Sequence, residues 1–120
     1  LRLLLLFLLT FSNIFATSSY EKGKDLYIQK ACYSCHGHKI EGISTFPALA
    51  NRSKGYMTYK LKHFRERKAD TQRQEMMIDF AVNLSDEDID NLTTFFADYV
   101  DVEKQEKYDD SYDNYGDGGS

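Results

Sequence analysis

The chain has 120 residues, 42% of them hydrophobic, with 15 Lys and Arg against 19 Asp and Glu for a formal net charge of −4. That length has room for one small domain and little else, and the apolar share is too low for a membrane protein. An acidic balance argues against nucleic acid as a partner.

The first residues read as a secretory leader: Arg2 supplies a positive start, residues 3–9 an apolar run, and residues 10–16 a mixed run ending in small Ala16. The apolar run is shorter than the roughly 20 residues a spanning helix needs. Cleavage after Ala16 and export to the periplasm without stable membrane insertion are therefore expected, an uncleaved anchor being the alternative. Residues 20–30 follow with a helical pattern, Gly23, Leu26, Tyr27 and Lys30 recurring at spacings of three and four. A glycine inside a helix costs about 1 kcal/mol relative to alanine, which points to a close backbone approach at Gly23.

Next comes Cys32-Tyr33-Ser34-Cys35-His36-Gly37, a C-x-x-C-H sequence. This is the pattern of c-type haem attachment. Two thiols three positions apart lie about one helical turn from each other, so both can add to one side of a single porphyrin. His36 is then placed beneath the macrocycle as an axial ligand. A structural zinc needs four N or S ligands, and only two cysteines exist, with His36 and His38 too close in sequence to complete a tetrahedral shell. A thioredoxin-like dithiol belongs in a βαβ setting, and no strand pattern surrounds this one. Both cysteines being committed to haem, no disulfide remains, and the buried porphyrin serves as the staple a small domain needs.

After His36 the chain is rich in breakers as far as Pro47. A ligating imidazole needs an acceptor for its second nitrogen. The Pro47 carbonyl is the candidate, a plain turn proline the alternative, with Phe46, Ala48 and Leu49 packing nearby. Residues 54–68 form a basic helix whose Met57, Leu61 and Phe64 share one face and read as core, while His63 reads as a solvated surface histidine. Residues 74–84 carry Met76 and Met77 into a short apolar stretch. A methionine there can supply a sixth ligand, because no histidine or cysteine follows residue 63. A helix over residues 85–100 begins with a Ser85/Asp88 capping box and carries the stripe Ile89, Leu92, Phe95, Phe96 and Tyr99. It is expected to cross the first helix, Gly23 and Tyr27 meeting Leu92 and Phe96. Residues 101–120 hold seven acids against Lys104 and Lys107 and read as a disordered tail.

These linked pieces resemble the class I cytochrome c family, most closely its small bacterial single-haem members. The resemblance covers residues 20–99: the Gly23-Lys24-Asp25-Leu26-Tyr27 lead, the haem motif, Phe46-Pro47-Ala48-Leu49-Ala50, the middle helix around Tyr59-Lys60-Leu61, and the Met segment running into Leu84-Ser85-Asp86. It implies an all-α fold of about four helices wrapped around one covalently attached haem c. The haem domain would span residues 17–100, between a signal peptide at 1–16 and an acidic tail at 101–120. By position the ligand methionine is Met77, seven residues before Leu84, with Met76 beside it as a departure from the family pattern. The implied site is therefore Cys32 and Cys35 holding the haem, with His36 and Met77 on the iron.

Six-coordinate iron leaves no place for substrate, so the expected function is not enzymatic but one-electron transfer. The carrier would be a soluble periplasmic monomer working between redox protein partners such as a donor complex and a terminal oxidase or peroxidase. The alternatives are a haem-bearing subunit of a larger redox complex, or a ligand-binding or peroxidase-type haem protein if the sixth ligand is labile. Residues 51–75 carry eight Lys or Arg against three acids, and residues 76–120 thirteen acids against two lysines. Two oppositely charged regions of this kind can orient a carrier during encounter.

Overall fold

The computed structural model describes residues 16–109, with side-chain surroundings through residue 105. The leader expected over residues 1–16 lies, apart from Ala16, outside the described residues, as do residues 110–120 of the tail. The chain is all-α: α1 (Ser19–Gln29), the single turn α2 (Tyr33–His36), α3 (Lys54–Arg65), α4 (Gln72–Ala81), α5 (Asp86–Ala97) and α6 (Val102–Asp109). Among the described residues the only strand-like pairing is one isolated bridge between Ile43 and Phe46.

Two helices make the frame. The Ser18 side chain caps α1 by accepting from the Glu21 amide at 3.2 Å. Ser85 and Asp88 form the expected capping box at the start of α5, each bonding the other's backbone N–H at 3.0 Å. The two helices cross at Gly23, where an added Cβ would lie 2.6 Å from the Asn91 carbonyl carbon and 2.9 Å from Phe95 Cβ. The close approach was legible, but its partners are Asn91 and Phe95, one position before the expected Leu92 and Phe96. Tyr27 fills the next turn against both Phe95 and Phe96, at centroid separations of 5.6 and 5.9 Å. Tyr27, Ile89, Leu92, Phe95 and Phe96 are all buried, each such side chain contributing roughly 1.5–3 kcal/mol on leaving water.

The loop between α2 and α3 is held from inside. Ile40, in the stretch read as breakers, is wholly buried, and its carbonyl accepts from the Leu49 and Ala50 amides at 2.9 and 3.1 Å. The Asn51 amide then donates to the Phe96 carbonyl at 2.7 Å, tying the loop to the end of α5. Ala48, expected to pack inward, is exposed instead.

The basic helix and the acidic helix are not two separate faces. Lys54 pairs with Asp90 at 2.8 Å and Arg65 with Asp86 at 2.7 Å, so α3 and the start of α5 partly neutralise each other. The expectation of a tail disordered from residue 101 is corrected over Val102–Asp109, which is helical. Glu103, Lys104, Gln105 and Glu106 are good helix formers, and Lys39 holds the start of that helix through Glu103 at 2.6 Å and Asp101 at 3.5 Å.

Candidate functional site

The haem motif is a single helical turn set between two left-handed residues. Ala31 enters at φ 55° and Gly37 leaves at φ 86°. Between them the His36 amide donates to the Cys32 carbonyl at 3.0 Å and the Gly37 amide to Tyr33 at 2.9 Å. Cys32 and Cys35, three apart on that turn, are not bonded to each other and line one cavity together with His36. Burial pushes the Cys32 thiol up to about 11. Dithiol oxidoreductases need the opposite, a thiol acidified so that the thiolate can attack.

His36 is buried, and its Nδ1 lies 2.8 Å from the Pro47 carbonyl oxygen. A carbonyl can only accept, so Nδ1 carries a proton, and in the neutral ring this leaves the lone pair on Nε2, the tautomer a metal-ligating histidine requires. The acceptor proposed from sequence is thus in place. The loop behind it is fixed from α1, where the buried Tyr27 hydroxyl donates to the Gly37 carbonyl at 2.7 Å.

The cavity has a volume of about 390 Å³, within the range of roughly 300–1,000 Å³ common to small-molecule sites. Leu49, Met57, Leu61, Phe64, Leu84, Leu92 and Phe96 make its apolar wall, so the face of α3 read as core is also cavity lining. From α4, Met76, Met77 and Phe80 line the same space. Met77 is partly buried against the core, whereas Met76 is 53% exposed. His63 and His38 do not line the cavity: His63 is half-buried beside Asp70, Nε2 to Oδ1 at 3.2 Å, and His38 stacks on Tyr33 at 4.5 Å.

Sequence reading missed the cations of the site. Lys30, Arg52, Lys60 and Arg73 line the cavity along with the apolar residues. The excess of Lys and Arg over residues 51–75 was the available signal, read only as surface charge. Paired thiols, a tautomer-fixed imidazole, apolar walls, thioethers in the lining and nearby cations for carboxylates together fit a haem, which is apolar across its ring and anionic at its propionates.

The family described as Cytochrome c matches residues 20–98. The chain belongs to the cytochrome c family. It is similar to cytochrome c-554(547) of Halothiobacillus neapolitanus, with 32% identity over 83 residues, 62% of this chain and 90% of that protein. The cofactor is accordingly a covalently bound haem c with its iron, and the protein is a haem-based electron carrier. Among the described residues no helix is long and apolar enough to cross a membrane.

Proposed function

We propose that this cytochrome is a periplasmic one-electron carrier with His/Met axial ligation, exported by a leader cleaved after Ala16 and acting as a monomer between a respiratory donor and a terminal acceptor. When bound, the haem supplies a one-electron Fe(III)/Fe(II) couple. Cys32 and Cys35 hold it by thioether bonds, so that it is retained through repeated encounters. His36 binds through Nε2, with Pro47 keeping the proton on Nδ1. Met77 closes the opposite side, favoured over Met76 because it packs on the core while lining the cavity. A soft thioether in an apolar cavity favours the ferrous state and so raises the reduction potential. With both axial positions taken by side chains, no enzymatic role of its own is proposed.

The observation that carries this reading is the 2.8 Å contact between His36 Nδ1 and the Pro47 carbonyl, beside a cavity that His36 and the α4 methionines both line. The near-infrared sulfur-to-iron band of the ferric protein tests it. The band is expected in the native protein, lost in Met77→Ala and kept in Met76→Ala. The reverse pattern would exchange the two methionines, and absence of the band with rapid carbon monoxide uptake would favour a ligand-binding haem protein.

A further inference from the structure

We infer that Lys60 is a positioning residue for the methionine side of the haem, acting by knotting the start of α4 to α3. This rests on the reading that an α4 methionine is the sixth ligand, whichever of Met76 and Met77 it is. α4 needs such a device. Of its residues only Ala81 is buried, Met76 and Phe80 are about half exposed while lining the cavity, and Met77 alone of the three packs on the core.

The knot lies at the other end of α4 from Ala81. Lys60, on α3, has only 14% of its side chain exposed and lines the cavity. Its ammonium donates to Asp70 Oδ2 at 2.7 Å and to Gln74 Oε1 at 3.2 Å. The same Gln74 oxygen accepts from the Asp70 amide at 3.1 Å, and the Gln74 amide donates to Thr71 Oγ1 at 3.3 Å, capping α4. One ammonium therefore joins the residue before the cap to the first turn of the helix, two residues short of Met76. His63 holds the far oxygen of Asp70 at 3.2 Å. The Lys60 ammonium, helped by His63, keeps the Asp70 carboxyl below the usual carboxylate range. The Lys60 stem fills the wall, and the charge sits 5.2 Å above the Phe64 ring, so the side chain is anchored along its length.

An ion pair on an open surface contributes little. Here the lysine is mostly enclosed, and losing its charge removes the one group on α3 that bonds both Asp70 and Gln74, so the first turn of α4 can swing outward and carry the thioether off the iron. Local opening of this kind shows as faster ligand entry without matching global unfolding.

The test uses the full chain matured with its haem. In Lys60→Met, carbon monoxide uptake by the ferrous protein is expected to rise about tenfold, the change that a 1.4 kcal/mol loss produces. The ferric sulfur-to-iron band should fade on heating well before the helices melt. Lys60→Arg, which keeps the charge, should restore both. Asp70→Asn removes the negative charge paired with the Lys60 ammonium without touching the cavity lining, and should reproduce the Lys60→Met result. Native behaviour in Lys60→Met, failure of the Arg rescue, or a silent Asp70→Asn beside an active Lys60→Met would overturn the inference while leaving methionine ligation intact. A native protein with no sulfur-to-iron band at all would overturn both.

Discussion

The two sides of the haem cavity are built differently. On the histidine side, α1 and α5 cross in backbone contact at Gly23, Tyr27 clamps Gly37, and Pro47 holds His36, so every link is buried or backed by main chain. On the methionine side, α4 is fastened by a cap at Thr71 and a half-enclosed polar knot, and its apolar residues line the cavity. The difference teaches that the imidazole is preset by the polypeptide, whereas the α4 methionines, of which one is the proposed ligand, are positioned by weaker and more adjustable contacts. A carrier needs its iron to stay put but can tune potential and ligand strength on one side alone.

The largest test of the rigid side is Gly23→Ala. A methyl group there meets main chain that cannot move aside, so a loss of about 3 kcal/mol or more is expected in urea unfolding of the whole domain. Tyr27→Phe leaves the Gly37 carbonyl without its partner in the interior, and should cost about 1–3 kcal/mol by the same measurement. Burial also holds the Tyr27 phenol well above its ordinary value. Its folded-state pKa is raised, so its contribution is complete below about pH 10 and declines as pH rises beyond the unfolded value. Tyr27→Phe should therefore flatten the alkaline fall in stability.

Smaller effects distinguish the sides more sharply. Ser85→Ala removes half of the capping box and should lower global stability by about 1 kcal/mol, because α5 is part of the frame. Thr71→Ala removes a similar bond from α4, yet should change global unfolding by less than about 1 kcal/mol while hastening hydrogen exchange within α4. Equal effects from the two caps would erase the distinction between the sides. The smallest effect is in acid. The Asp70 and Asp86 carboxyls are held below their ordinary values by Lys60 and Arg65, so their pairs are intact above the unfolded pKa near 4 and fail as pH falls through the lower folded values. The sulfur-to-iron band should weaken there before far-ultraviolet helicity does.

Much of the histidine side could be read from the sequence because its signals are local or follow one helical period. The capping box at Ser85 and Asp88, the stripe on α5 and the glycine in α1 each announce themselves within a few residues. The register of the crossing was one residue off, since sequence fixes which faces meet but not the depth at which they interlock. The start of α4 was missed although Thr71 and Gln74 stand at capping-box spacing, masked by the charged residues around them. Ile40 was passed over because hydrophobic periodicity says nothing about a lone buried residue in a turn. The knot at Lys60 joins residues ten and fourteen positions apart, and only folded geometry brings them together.

Tryptic mass spectrometry of the matured protein tests the central claim most directly. Cleavage after Lys30 and Lys39 releases residues 31–39, which contain both cysteines and His36. That peptide should carry one haem through two thioether bonds, with neither cysteine open to alkylation. The same peptide recovered without haem, and alkylated at Cys32 and Cys35, would contradict the account.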